Sequence, residues 1–489
     1  MLLVLVLVLP LLGAVAIAVG RGRPSVAWAG VAANGATLAL GVAAAVRVVR
    51  ASPLVGASGM LRADALSAFM VVVIGAIALL ASWLGIRSIA LELADGRCTR
   101  GRATSYGVLV QAFVTTMLLA VLAANVGVLW VAIEATTVVT TFLVGHRRTR
   151  GSLEASWKYI VICSVGIALA FLGTVLVYLA ALHAGGHSAH ALDWTSLRAT
   201  AHRLDPSVVR LAFVLLVLGY GTKVGLAPMH SWLPDAHSQA PAPVSALMSG
   251  VLLTVAFYAI LRFKAVVDVA VGPEFSRALL VAVALLSLAV AASLLLTQRD
   301  YKRMLAYHSI EHMGLIALGA AAGIPLAIAA VLLHVLGHGL AKSVLFLASG
   351  EIMAAEGTSQ IDGVRALLAR RPALGGVFGF GLVALLGLPP FSLFTSELVM
   401  FRAEFQVGLG WAAGVAMVAM VAIFVAVVGH ARHMLLGPAE SAVSAGDLAT
   451  PPRWVAAPLV GGLVVCGLIG VFAWPLSGLL RAAAHVVSP

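Results

Sequence analysis

The chain has 489 residues, of which 62% are hydrophobic and only 10% charged, with a mean hydropathy of +1.07. That composition excludes a water-soluble globular domain and describes a membrane protein. The net charge of +12 would suit a nucleic-acid surface, but the Lys and Arg residues stand at the ends of apolar runs rather than on one face, so they read as topology signals.

A spanning helix needs about 20 mostly apolar residues, and such runs recur almost end to end. They fall near residues 2–20, 27–46, 66–86, 104–122, 126–145, 158–182, 207–226, 243–262, 278–297, 303–322, 325–348, 374–400, 408–434 and 455–479. The expected fold is an all-α integral membrane protein of about fourteen transmembrane helices forming a single membrane domain over 1–489. The first run lacks a basic leader and is followed by Arg21 and Arg23, so it is kept as a helix and not as a signal peptide. Basic residues concentrate in the loops after odd-numbered spans, among them Arg87, Arg97, Arg100, Arg102, Arg147, Arg148, Arg150, Arg299, Lys302 and Arg303. Those loops are expected to face the cytoplasm, which puts both termini on the outer side of a cell inner (plasma) membrane.

A charge at the bilayer centre costs roughly 2.5–3.5 kcal/mol on insertion scales, so each one needs a reason. Four positions qualify: Glu134 in span five, Lys223 in span seven, Lys342 in span eleven and Glu397 in span twelve. Ion pairs that only hold helices together would explain one Glu and one Lys. They do not explain His334, His338 and Lys342, which recur at i, i+4 and i+8 on one helix face with steps of about 6 Å, a spacing suited to a water-linked proton relay. Two histidines on one face cannot ligate opposite sides of a haem iron.

Two spans are also broken. Span seven carries Gly219, Gly221, Gly225 and Pro228 around Lys223, and span twelve carries Gly387, Pro389 and Pro390 before Glu397. Interrupted helices at corresponding places point to inverted repeats, here two five-helix units, spans 4–8 (104–262) and 9–13 (276–434). Spans 1–3 (1–100) precede them, and span fourteen with its tail (455–489) follows a Pro/Ala/Gly-rich connection and reads as packing. Burial disfavours a charged lysine and an approaching carboxylate restores it, so a moving Glu134 could switch Lys223 between holding and releasing a proton.

Other polar clusters carry less. The loop histidines His183, His187 and His190 read as solvated, and no metal is expected there. Cys98, Cys163 and Cys466 are isolated, without CxxC, iron–sulfur or disulfide spacing. No cofactor is expected on this chain, and none of its residues is expected to carry out catalysis by itself.

The stretches HSWLPDAHSQAPAPVSALMSGVLLTVAFYAILRF (His230–Phe263), DYKRMLAYHSIEHMGLIALG, HVLGHGLAKSVLFLASGEI and GLPPFSLFTSE resemble the antiporter-like membrane subunits shared by respiratory complex I, membrane-bound hydrogenases and multisubunit cation/proton antiporters. WVAIEATT and HSIEHMG are most similar to component F of hydrogenase-4-type complexes, then to the M-type chain of NADH-quinone oxidoreductase. The resemblance implies that Glu134 and Lys223 are the coupling pair, that Lys342 or its histidine neighbours form the central relay, and that Glu397 is the distal exit. It implies proton translocation driven by electron transfer in partner membrane and hydrophilic subunits, which would carry the iron–sulfur clusters, flavin or metal centre. A sodium/proton antiporter subunit is the alternative, and a purely structural scaffold a third. One departure stands out: where M-type chains have a lysine in span eight, this sequence has Thr254. His230, His237, Glu311 and His312 are the candidates for a substitute route.

Overall fold

In a bilayer every backbone N–H and C=O must be satisfied within the protein, which restricts spanning structure to helices or closed barrels. The computed structural model of this chain, which describes residues 1–21, 23–185, 190–437 and 452–488, takes the helical solution. The order is α1 (Leu2–Val19), α2 (Pro24–Arg50), a short hairpin β1 (Leu54–Gly56) and β2 (Leu61–Ala63), α3 (Ala65–Ala94), α4 (Arg100–Leu122), α5 (Val126–Val144), α6 (Arg150–His183), α7 (Trp194–Thr200), α8 (Pro206–Val224) and α9 (Trp232–Gln239). Then come α10 (Ala242–Leu247) and α11 (Leu253–Val271) joined by a π-helical turn, α12 (Pro273–Leu295), α13 (Tyr301–Ala322), α14 (Pro325–Glu356), α15 (Leu367–Arg370), α16 (Pro372–Leu385), α17 (Ser392–Gln406), α18 (Gly410–Leu436), α19 (Arg453–Val471) and α20 (Ser477–Val487).

Among the described residues twelve helices are long and apolar enough to cross a membrane. The two other expected spans coincide with α13, which carries Lys302, His308, Glu311 and His312, and with the broken pair α16 and α17. Helix ends depart from the sequence expectation where polar caps extend them. The sixth helix begins at Arg150 rather than 158 because the Thr149 hydroxyl accepts from the Ser152 N–H at 3.2 Å. The expected span 455–479 ends at Val471, and a separate amphipathic α20 follows. It buries Leu479, Leu480, Ala483, Ala484 and Val487 and packs on α3 and α14. The connection 438–451 and His187 lie outside the described residues.

Loops after odd-numbered spans gather at one end of the bundle. Tyr301 N–H donates to Ser359 O at 3.0 Å and Ile361 N–H to Arg299 O at 2.8 Å, while Asp235 lies 3.0 Å from Lys158 and 2.9 Å from Arg303. Loops after even-numbered spans gather at the other, where Ala124 N–H donates to Met60 O at 3.0 Å and Trp194 N–H to Ala124 O at 2.9 Å.

Lipid tails give helices no hydrophobic reason to associate, so close packing of small residues does the work. Along α6, Gly166, Ala170 and Gly173 face α8, and a Cβ on Gly219 of α8 would sit 2.4 Å from the Ala170 nitrogen. At the π turn, a Cβ on Gly250 would meet Ser343 Oγ at 2.6 Å and Gly339 O at 3.1 Å, which fixes the middle of span eight against α14. Such turns inside helices are rare and concentrate at functional sites.

The helix-fastening ion pairs that a scaffold needs are present, toward the ends. Arg262 grips Asp64 at 2.6 and 2.7 Å and donates to Ser67 at 2.8 Å. Lys264 pairs with Asp268, Arg87 with Glu351 at 3.0 Å, and Glu356 with Arg370 at 2.8 Å.

Candidate functional site

Lys223 occupies the last turn of α8 and is fully buried. The helix stops there because Gly225 takes a left-handed φ of +83°, a conformation open to glycine, and a Cβ at that position would lie 2.3 Å from Leu233 Cδ1. The exposed end is closed by Trp232, whose indole N–H donates to Thr222 O at 2.8 Å, and by Ser287, whose hydroxyl accepts from Ala227 N–H at 2.9 Å. The Lys223 ammonium donates to Thr137 Oγ1 at 2.9 Å and Tyr159 OH at 2.5 Å and sits 4.7 Å from the Tyr159 ring centroid.

Glu134 is half-buried on α5. It does not meet Lys223 directly: the Thr137 hydroxyl, one turn on, lies 3.1 Å from Glu134 Oε2 and takes the lysine on its other side. Ser164 donates to Glu134 Oε1 at 3.4 Å. Glu134 and Lys223 are therefore bridged by a hydroxyl, which can accept from the ammonium while donating to the carboxylate.

Around α9 the sequence expectation needs correcting. Lys302, expected in a loop as a topology signal, is 1% exposed and donates to Ser238 O and Ala240 O at 2.8 Å each, holding the carbonyl end of α9. His237 is buried and stacked 5.1 Å from Phe346, with neither ring nitrogen bonded. The Lys302 ammonium is bound at Ser238 O and Ala240 O, one and three residues further on. His230 is only half-buried and stands in the loop before α9, its Nδ1 unpartnered. Thr254 turns its hydroxyl back to Val251 O at 2.9 Å and joins no relay.

The central cluster is denser than the sequence suggested. His334, His338 and Lys342 do share a face of α14 and are all fully buried, but the contacts run between helices rather than down that face. The hub is His312 on α13. Its ring lies 4.8 Å from His308, 5.0 Å from His334 and 5.0 Å from His338, centroid to centroid. His312 Nδ1 is 3.0 Å from His334 Nε2, and His334 Nδ1 is 2.9 Å from Ser396 Oγ on α17.

Because Ser396 spends its own proton on Leu393 O at 2.9 Å, it accepts from His334 Nδ1–H. The bonding therefore assigns His334 Nε2 as acceptor and His312 Nδ1 as donor, leaving the buried His312 Nε2 with a free lone pair. Lys342 donates to Leu305 O. Among the described residues Lys223, Lys302 and Lys342 have no carboxylate within 4.0 Å, unlike the fastening pairs near the ends.

Glu397 lies on α17 after the break in span twelve. Gly387 has a φ of +61°, and a Cβ there would fall 2.2 Å from Glu397 Oε2, so the glycine both bends the chain and makes room for the carboxylate. Glu397 and Glu311 line one cavity of about 200 Å³ with Leu385, Met420 and Phe424. Donor atoms of His312, His334 and Glu397 lie within 4.8 Å of one another, as do those of His308, Glu311 and His312. In the first set His312 and His334 are hydrogen-bonded at 3.0 Å, so that pair can exchange a proton. In the loop before α7, His190 Nδ1 lies 2.6 Å from Asp193, and Asp193 accepts from Asn125 at 3.1 Å. That carboxylate engages the histidine as a loop fastening.

The sequence signature of the NADH:quinone oxidoreductase/Mrp antiporter transmembrane family matches residues 123–424. The chain belongs to this family. It is 43% identical over 319 residues to the hydrogenase-4 component F homolog of Methylacidiphilum infernorum, covering 65% of this chain and 67% of that one. Its fold resembles a chain of the membrane-bound sulfane sulfur reductase, an archaeal respiratory membrane complex, with a TM-score of 0.88 at 24% identity over 99% of this chain and 98% of the other. It also resembles a chain of the Mrp complex from Dietzia sp. DQ12-45-1b, with a TM-score of 0.82 at 23% identity over 99% and 97%.

Every residue singled out from the sequence as part of the relay falls inside the segment matched to this antiporter family. Four contributors were missed. His308 precedes His312 by four residues in YHSIEH, so helical periodicity alone could have found it. Thr137, Tyr159 and the burial of Lys302 had no such signal, because each depends on which helices become neighbours.

Proposed function

We propose that this chain is the proton-translocating membrane subunit of an oxidoreductase complex of the hydrogenase-4 or NADH-quinone type. Its family membership supports the class, and one observation carries the mechanism: a hydrogen-bonded run from His312 through His334 to Ser396, beside Glu397, in the middle of the membrane domain. A proton arriving at the free Nε2 of His312 can leave as the Nδ1 proton to His334, and the His334 Nδ1 proton can pass to Ser396 or Glu397. Each transfer restores a neutral ring. Glu134, Thr137 and Lys223 form the gate: when Glu134 draws its Thr137 bond away, Lys223 loses its link to negative charge and gives up a proton. His237, between Lys302 and Lys342, is the candidate bridge between the halves in place of a lysine at Thr254, and Glu311 and Glu397 share the exit cavity. His338 and Lys342 tune the hub, and His230 lies at the edge.

The two halves, spans 4–8 and 9–13, act as inverted units, each with a helix broken at a left-handed glycine, Gly225 and Gly387, next to a buried ionisable group. The chain works in a cell inner membrane with its odd loops in the cytoplasm and both termini outside. Other membrane and hydrophilic subunits supply the electron transfer and carry its clusters, flavin or metal centre.

The deciding measurement is proton uptake by vesicles holding the whole complex, energised by its electron donor, with subunit assembly followed in parallel. Lys223→Ala, Glu134→Gln and His312→Ala should keep assembly and abolish proton movement; normal pumping in all three would make these residues structural. A sodium/proton exchanger is the second reading, favoured by one feature, the paired carboxylates of Glu311 and Glu397 in a single cavity. It requires donor-driven uptake of radioactive sodium that Glu397→Gln removes.

A further inference from the structure

A second cluster of ligating side chains lies away from the relay, at the end of the bundle where the odd loops meet. Glu92 lies in the last turn of α3, Cys98 stands in the turn that follows, and His146 lies in the turn after α5. Their side chains are buried or nearly so. Cys98 N–H donates to Glu92 O at 3.0 Å, folding the turn so that the thiol faces the carboxylate. His146 Nε2 lies 3.5 Å from Glu92 Oε2 and 3.9 Å from Cys98 Sγ, and all three donor atoms are within 4.8 Å of one another. Tetrahedral zinc, with bonds of about 2.0 Å to N or O and 2.3 Å to S, needs donors about 3.3–3.6 Å apart; both His146 distances are within a few tenths of an ångström of that, and the thiol and carboxylate, within 4.8 Å of each other, close the remainder as the ion binds.

We propose that Glu92, Cys98 and His146 bind a divalent transition metal of the zinc class, with water from the adjoining cavity as fourth ligand. That cavity, about 360 Å³, is bordered by Glu92, Asp95, Arg97 and Arg147. One thiolate, one imidazole and one carboxylate select zinc, cobalt or nickel over magnesium or calcium, which take oxygen ligands. Arg147 does not oppose the ion. It donates to the other oxygen, Glu92 Oε1, at 2.9 Å, orienting the carboxylate as outer partners do, and a dication with a thiolate and a carboxylate is formally neutral.

The metal would tie the end of α3 to the end of α5, the helix that carries Glu134 and Thr137. Bound metal therefore restrains the gate and slows proton movement, a consequence that rests on the function proposed above; the binding itself does not.

The test is titration of the purified complex, free of affinity tags, with cobalt(II), read by absorption and by equilibrium dialysis. Wild type should bind one cobalt per chain with a thiolate-to-cobalt charge-transfer band that zinc displaces. Cys98→Ala, which removes only long contacts of the thiol, should lose the band and bind at least tenfold more weakly, and His146→Ala should weaken binding similarly. Cys98→His should restore binding without the band. Absence of the band in wild type, or unchanged binding in Cys98→Ala, overturns the site. If the band appears and zinc leaves donor-driven proton uptake unchanged, the site stands and the link to the gate falls.

Discussion

At Thr137 a single hydroxyl stands between the carboxylate of Glu134 and the ammonium of Lys223, and that position separates a relay from a fastening. A fastening pair gains from direct contact, as Arg262 and Asp64 show at 2.6 and 2.7 Å, whereas a bridge that both accepts and donates lets the pair be made and broken by one small rotation. Thr137→Val keeps shape and volume and removes the bridge. Donor-driven proton uptake should fall by about 10²-fold, the scale of losing one proton-transfer group, with assembly unchanged. Lys223→Arg asks a different question of the same site. Arginine keeps the charge and cannot release a proton, so uptake should be lost as completely as in Lys223→Ala; a rate near that of wild type would mean that Lys223 acts as a fixed charge.

Elements decide where these groups can sit. The break between α16 and α17 depends on Gly387, since any side chain there is strained at φ +61° and would collide with Glu397 Oε2 at 2.2 Å. Gly387→Ala should destabilise the protein by about 1–3 kcal/mol, lower its melting temperature in detergent and depress proton uptake through the displaced carboxylate. Gly376→Ala, where a Cβ meets nothing within 4 Å, should leave both unchanged. At the start of α3, burial pushes the Asp64 carboxyl up, but the Arg262 guanidinium and the Ser67 hydrogen bonds more than reverse it and hold it below its ordinary 3.8. A lowered folded value means stability that is present above 3.8 and lost as pH falls through the lower value. Melting temperature should therefore drop in that acid window for wild type. Asp64→Asn, which leaves Arg262 buried without a countercharge, should cost about 3–5 kcal/mol at neutral pH and show a flatter acid profile.

Across the whole molecule, what could be read from the sequence follows from physics that acts on one segment at a time. Apolar run length places each expected span on a helix, and Gly and Pro mark both breaks, because a bilayer penalises every unsatisfied backbone group wherever the helix packs. Glu134, Lys223, Lys342 and Glu397 were legible for the same reason, as charges within apolar runs. Lys302 reads as a topology signal because it lies beside Arg299 and Arg303, and it does sit at their end of the bundle, but only the position of α9 shows that its ammonium is buried. From the sequence His312 reads only as a candidate for a substitute route, and its place at the centre of the cluster was hidden, since that needs α13, α14 and α17 side by side. The proposed sidedness rests on loop charge and is tested with impermeant maleimide, because the native thiols give little background: Cys98 is 5% exposed and Cys163 and Cys466 0%. Gly101, beside Arg100 and Arg102, has open space around a Cβ, and Ser207 at the other end is exposed. In right-side-out vesicles Ser207→Cys should react at once and Gly101→Cys only after permeabilisation. The reverse pattern would place the basic loops outside the cell, and the access and exit sides of the proposed path would exchange, since Glu92, Asp235 and Lys302 belong to the same end as Gly101.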